Sequence, residues 1–521
     1  MARKLGFFAI GIIVLSSCTV RKTLSPTPIS VSPSRNPLAA EKAAEAGSLL
    51  DRGGYIHLRH AFALFREVEE LGPMDAGTAE KYLQTALLLD VRAKDLGVFD
   101  DSHLKTARRL IETYPGLASY QQYDDLVSLL RVKVAGVVEE APASSSDSPI
   151  AGNLAGRIET LKKDAASDPV RASLLAALWI SSPIPGFTAE DLHTMGSRFP
   201  DSLFLKFQIS CLPPGDTAAW NEILTADPEY VEVLAARGGR TLAEKKMLSA
   251  EPDLLKAHEA VPESPLLPIQ LASISFALEE YDQALDFFEK TLRAKADYRE
   301  AELGRAICLS CLGRAAEAVP ILNALITDGP SLRGECYFWL ATNQREMSEL
   351  AAAAESIEAA KPLLPRSQVF TLSGLIALER SLIDQAEADF KTAVKLNAGD
   401  EEAFFNLGRI YAQKTAWTDS GLNFMMAGYG YEQRESELEN LAGQIREASL
   451  AAERKERLLE RKKIQIEKTR LKRATAYYNA AAGFYNGGDP VRARPWAEKS
   501  TLHPQLIAKA RDFLALLDQK R

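Results

Sequence analysis

Few residues of this chain have the types and spacing that chemistry requires. His57 and His60 stand three apart, so on a helix they would share one face and could hold a metal ion. No His-Glu-x-x-His arrangement and no third nearby ligand accompany them, so no metal site is expected. Cys308-Leu309-Ser310-Cys311 has the spacing of a redox or zinc pair, but it follows Ala301 and Ala306 inside an apolar-periodic stretch and lacks a second pair. Cys308 therefore reads as a small core residue. Gly329 and Gly334 match phosphate-loop spacing, yet Glu335 stands where lysine is required, and neither a Gly-x-Gly-x-x-Gly loop nor a Gly-x-Ser-x-Gly elbow occurs. No catalytic residue and no cofactor are expected, and the chain reads as a non-enzyme. An enzymatic alternative would need a deep polar pocket near His57, His60 and His103.

Charge is concentrated in one place. Glu453–Arg473 holds ten basic residues against four acidic ones, inside a protein of 521 residues with 62 Lys+Arg, 70 Asp+Glu and a formal charge of −8. One reading is a solvated helix laced with ion pairs. The other is a strip for polyanions such as lipid headgroups, host glycosaminoglycan or acidic protein, carried by Arg461, Lys462, Lys463, Lys468, Arg470, Lys472 and Arg473. The overall acidity argues against nucleic acid as a partner. With 46% apolar and 25% charged residues the composition is that of a folded protein, and five cysteines are too few for a disulfide-built scaffold.

The elements around these residues begin with an address. Arg3 and Lys4 precede an apolar run from Leu5 to Leu15, shorter than the roughly twenty residues that span a bilayer and suited to a signal segment. Leu15-Ser16-Ser17-Cys18 resembles the lipobox of bacterial lipoproteins. The resemblance implies cleavage before Cys18, lipidation of its thiol and a stable membrane anchor. Thr19 in place of aspartate implies the outer membrane in that family, with the periplasmic or surface face left open. Residues 18–38 carry Pro26, Pro28, Pro33 and Pro37 among serines and threonines, which reads as an extended tether.

A repeat of about 34 residues follows. Phe404, Leu407, Gly408 and Tyr411, then Ser420, Phe424 and Ala427, form one apolar face on each of two consecutive helices. Steps of 33 to 35 residues backwards reach Gly374, Ala341, Ala306, Ala272 and Gly238, with Phe390, Ile357, Leu322, Phe288 and Leu254 in the matching second-helix place. The small first-helix residue lets the second helix approach closely. This pattern resembles the tetratricopeptide repeat (TPR) family over 231–432, although Arg237 and Arg305 stand where that family prefers leucine. The resemblance implies an all-α solenoid of helical hairpins wound as a right-handed superhelix.

Around the array, 39–138 reads as an N-terminal helical TPR-like module, 139–153 as a linker, 154–230 as degenerate repeats and 476–521 as a TPR-like cap. Residues 433–475 lack proline and read as one long charged helix. Its apolar seam at Leu438, Ile445, Ala452, Leu459 and Ile466 is interrupted by Lys455 and Lys462.

The resemblance further implies a concave groove that receives a peptide or helix, lined here by Ile269, Phe276, Leu303, Phe338, Arg345, Leu378, Phe405 and Arg409. Leu303 and Leu378 have the alternative of packing between units. The positive clamp by which some relatives hold chaperone C-termini is missing, since Glu300, Glu335 and Glu402 occupy its places. The expectation is a membrane-anchored scaffold of the bacterial cell envelope that binds a protein partner. The alternative is a surface adhesin for host polyanions or receptors.

Overall fold

A computed structural model describes residues 36–98, 100–121, 161–181, 187–212 and 215–519. The signal-like segment, Cys18, most of the expected tether and the 139–153 linker lie outside these residues. Among the described residues every regular element is helical. Helix α1 (Pro37–Arg52) starts where the Asn36 side chain accepts the Leu38 N–H at 3.0 Å and Pro37 takes the first helical position. Helix α1 thus begins at residue 37, within the stretch that proline content assigned to the tether.

Helices α2 (Tyr55–Glu70), α3 (Ala76–Asp95), α4 (Asp101–Thr113), α5 (Pro169–Ser181), α6 (Ala189–Arg198), α7 (Leu203–Ser210) and α8 (Thr217–Ala226) build the N-terminal part. Then come six hairpins: α9 (Val231–Ala243) with α10 (Met247–Ala260), α11 (Leu266–Ala277) with α12 (Tyr281–Ala294), and α13 (Arg299–Cys311) with α14 (Ala315–Asp328). The series continues with α15 (Arg333–Glu346) and α16 (Leu350–Ala360), α17 (Ser367–Glu379) and α18 (Ile383–Leu396), and α19 (Glu401–Gln413) and α20 (Trp417–Glu447). Helices α21 (Ala452–Asn486), α22 (Pro490–Ser500) and α23 (Ile507–Gln519) close the chain. Each hairpin packs on the next, so the fold is an all-α solenoid of TPR-type units.

Two local devices set the hairpin geometry. The first is the small residue expected on the first helix. A Cβ at Gly408 would sit 2.8 Å from the Phe424 ring, one at Gly374 2.7 Å from Phe390, and one at Gly238 2.7 Å from Leu254. In each pair the residues are 16 apart. The large partner fills the space that the missing Cβ leaves, which buries Phe390 and Leu254 completely and contributes about 1.5–3 kcal/mol per side chain.

The second device is a left-handed residue at every inner turn. Lys245, Glu279, Gly313, Ser348, Ser381 and Thr415 have φ between +57° and +72° and recur every 33 to 35 residues. After each, the next residue's N–H reaches back to the carbonyl five positions earlier: Glu280 to Ser275 at 2.8 Å, Leu382 to Ala377 at 2.8 Å, Ala416 to Tyr411 at 2.9 Å. This ties off the first helix and aims the chain into the second.

The same turn appears once more, at Gly488 (φ +83°) with Asp489 N–H on the Phe484 carbonyl. The expected cap is therefore a further hairpin, built from the end of α21 and α22. Its turn lies 73 residues after Thr415 instead of about 34. The extra length lengthens α20 and α21 into an antiparallel arm, packed against each other along their length. The single charged helix expected over 433–475 is thus two helices, separated at residues 448–451. The seam that supports helix pairing ends where Lys455 would enter it, and the chain reverses just before that point.

The N-terminal helices are not a separate body. One apolar core runs from Ala39 in α1 to Leu340 in α15 and takes in Ile445 and Leu458 of the arm. Arg92 of α3 is fully buried with its guanidinium 3.6 Å from the centre of the Phe204 ring, hydrogen-bonded to Tyr230 Oη at 3.2 Å and 3.4 Å from Glu232 Oε1. Glu232 also accepts the Tyr55 N–H at 2.8 Å, and Ser264 donates to the Leu96 carbonyl. Composition marked a linker after residue 138, yet α1–α4 dock on the array through these contacts.

Candidate functional site

First helices of the later hairpins and the arm line two adjoining clefts. Phe338, Thr342 and Arg345 of α15 and Thr371 of α17 line a cleft of about 670 Å³ whose other wall is Gly430, Gln433, Arg434 and Glu437 of α20. A second cleft of about 760 Å³ adjoins it, between Leu378 and Arg409 on one side and Trp417, Asn479 and Asn486 on the other. Arg345 borders both and donates to Glu379 at 2.6 and 2.9 Å. The two clefts form one trough with apolar patches, two arginines and amide side chains along its length.

The expected groove residues divide between trough and core. Phe338, Arg345, Leu378 and Arg409 line the trough. Leu303 is buried in the core between units, where its apolar side chain meets neighbouring helices rather than a partner. Ile269 and Phe276 pack partly buried against that same core, Phe276 edge-on to Tyr281 with ring centres 5.4 Å apart. Phe405 lies edge-on to Phe424 at 5.2 Å and packs, partly buried, against the core around that ring. Sequence reasoning missed Trp417, Asn479, Asn486 and Arg434, which come from the arm and the hairpin after it. Their one signal was the doubled interval between inner turns.

The arm is fastened at its far end. Arg454 donates to Glu280 at 2.6 Å and to Glu251 at 2.9 Å, side chains that are 8% and 2% exposed. Arg461 donates to the Glu279 carbonyl at 2.7 Å, where the carbonyl end of α11 carries partial negative charge. Lys462 is fully buried, its ammonium 3.0 Å from Glu279 Oε1, and Gln465 donates to the other oxygen of that carboxylate. Ile445 and Leu458 add apolar contact with the core that holds α10–α12. The left-handed turn residue Glu279 is thus also the arm's anchor.

These contacts divide the basic strip. Arg461 and Lys462 face the array, while Arg470 pairs with Glu435 at 2.7 Å and Glu439 at 2.8 Å, and Arg473 pairs with Glu435 at 2.8 Å, inside the arm. Lys463, Lys468 and Lys472 are exposed. The basic surplus in the sequence serves first to hold acidic groups of this same chain.

The side chains with chemical potential are placed structurally. His57 Nε2 lies 2.6 Å from Asp227 Oδ2, both buried, and ties α2 to the end of α8. Burial raises the Asp227 carboxyl, but the His57 contact, the Glu229 N–H and the Arg52 charge together hold the group below the ordinary carboxylate value. His60 is exposed, and His103 is buried edge-on to Phe62. No group of three metal-ligating side chains occurs among the described residues. Burial pushes the Cys308 thiol up to about 12 and the Cys336 thiol up to about 11, so these two buried thiols stay protonated. No described helix is long and apolar enough to cross a membrane.

No known family profile matches the chain. Part of it is similar to the human protein O-mannosyl-transferase TMTC1 (Homo sapiens), 26% identical over 159 residues, and to its mouse counterpart (Mus musculus), 30% identical over 117 residues. These stretches are 30% and 22% of this chain and 17% and 12% of the relatives. The chain therefore spans under a fifth of either curated relative. Among solved structures it is similar to YrrB, described as a TPR protein with an unusual peptide-binding site (17% identity, TM-score 0.31, 38% of this chain and 98% of that one). A TPR protein from Parabacteroides merdae gives 21% identity and a TM-score of 0.31 over 48% of this chain and 98% of that one. MamA from Desulfovibrio magneticus gives 18% and 0.30 over 33% and 96%.

Proposed function

We propose that this protein is a non-catalytic, lipid-anchored scaffold of the bacterial cell envelope that holds a protein partner as a peptide or helix in the trough. The observation that carries this reading is the trough itself: Phe338 and Leu378 offer apolar anchors, Arg409 offers a planar donor for carboxylates or backbone carbonyls, and the Arg345–Glu379 pair adds charge of both signs. A partner segment laid between the concave helices and the arm would be buried on two sides.

The anchor rests on Leu15-Ser16-Ser17-Cys18. Labelled palmitate should enter the wild-type chain and not Cys18→Ala; equal labelling removes the anchor from the proposal. For the trough, a photo-crosslinking amino acid at Phe338 or Leu378 in intact cells should capture a defined partner that the same group at exposed Glu355 does not. Identical products from all three positions would refute the groove. Exposed Lys463, Lys468 and Lys472 support the adhesin alternative, and protease treatment of intact cells decides it, since loss of the protein requires surface display.

A further inference from the structure

Away from the trough, three helices bring three aromatic rings around one point. Tyr429 of α20 stands edge-on to Tyr477 of α21 (ring centres 6.2 Å apart, planes at 80°) and to Trp496 of α22 (5.6 Å, 88°), while Tyr477 and Trp496 lie 5.4 Å apart at 32°. The box is rigidly built. Tyr477 is 1% exposed, its ring covers the backbone of Gly428, where a Cβ would come within 2.2 Å, and its hydroxyl donates to Glu432 Oε2 at 2.9 Å. Tyr429 is 43% exposed, so the box opens to solvent.

The Lys499 ammonium sits at the mouth, 5.0 Å from the centre of Tyr477 and 5.2 Å from the centres of Tyr429 and Trp496. Three π-faces around one cation mark a site whose electrostatics select positive charge. The distances say which cation fits. A bare ammonium can approach a ring face far more closely than this. A nitrogen carrying methyl groups stands about 5 Å away, because carbon atoms meet at ~3.5–4.0 Å and the N–C bond adds ~1.5 Å. Lys499 thus holds its nitrogen at the distance a methylated nitrogen would take from each ring.

We infer that Tyr429, Tyr477 and Trp496 form a binding site for a methylated ammonium of the choline or betaine class, with Lys499 as a resident cation that the ligand displaces. Such a ligand gains contact with all three rings without the desolvation that a strongly hydrated primary ammonium requires. The site is independent of the trough and of the lipid anchor.

Saturation-transfer NMR on tetramethylammonium, at constant ionic strength and with the full chain, tests this. Binding should be saturable in the wild type, should tighten by about threefold to thirtyfold in Lys499→Ala as the competing cation–π contact disappears, and should vanish in Lys499→Ala/Tyr429→Ala. The neutral isostere 3,3-dimethylbutan-1-ol should bind far more weakly. Equal binding of the neutral isostere, or no saturable binding to a folded Lys499→Ala chain, overturns the inference. Lys499→Gln serves as a second variant; if circular dichroism shows neither folded, the lysine is a structural strut and the inference fails. Free choline and glycine betaine, run against phosphatidylcholine vesicles, separate a dissolved ligand from a lipid headgroup.

Discussion

Strain and space at single positions control the hairpins. Thr415 is a β-branched residue held at φ +57°, a conformation that costs an L-residue roughly 1–2 kcal/mol. Thr415→Gly removes that cost, partly offset by the greater freedom glycine has when unfolded, for a net gain of about 0.5–1 kcal/mol; a thermal melt should show a higher midpoint, and a lower one would mean the turn is not strained. Gly374→Ala acts in the opposite direction. Its methyl would lie 2.7 Å from the buried Phe390 ring, so the unit must spread, at about 1–3 kcal/mol in urea unfolding. His258 supplies a pH dependence. It is buried edge-on to Phe287, and burial, followed by the nearby Lys290 charge, holds its pKa below 6.5. The unfolded chain takes up a proton near 6.5 while the folded one resists, so this contribution is full above pH 6.5 and is lost as pH falls through that value towards the folded one. His258→Phe should flatten the stability profile between pH 7 and pH 5; an unchanged slope assigns it to another group.

At the scale of elements, the arm decides how open the trough is. Its outer end depends on Arg454, which partners two nearly buried carboxylates, Glu251 and Glu280. Arg454→Met leaves those charges without their shared cation, at about 3 kcal/mol, the lower end of what unpairing a buried ion costs. Amide exchange over residues 441–465 should accelerate while α17–α19 keep their protection. Unaltered exchange would show that Ile445 and Leu458 hold the arm without the ion pairs. The hairpins themselves were legible, because each needs only contacts 16 or 34 residues apart, repeated with the same residue types. The arm's reversal at 448–451 was not. It depends on Arg454 meeting partners 174 and 203 residues earlier, a separation that no periodicity announces.

For the whole molecule, the N-terminal helices and the array form one cooperative structure. Removing residues 36–121 would take Arg92 out from between Phe204, Tyr230 and Glu232 and leave the Glu232 carboxylate buried without its cation. A fragment beginning at residue 154 should therefore melt well below the full chain, and calorimetry of the full chain should show the two parts unfolding together. Separate transitions at unchanged temperatures would restore the reading of an independent module. Composition marked a linker after residue 138 because polar, proline-containing chain cannot pack. It carries no information on whether the segments it joins pack on each other.

From its order of residues alone this protein is specified as all-helical and as a run of hairpins in a 34-residue register. Those properties follow from interactions between near neighbours and between equivalent places in adjacent units, which repetition makes visible. Which groove residues face the trough, why part of a basic segment is taken up by acidic groups of the same chain, and how Tyr429, Tyr477 and Trp496 come to lie around one cation were decided only in three dimensions. Each depends on side chains from distant elements meeting once, at a distance of a few ångströms, and a contact made once leaves no pattern along the chain.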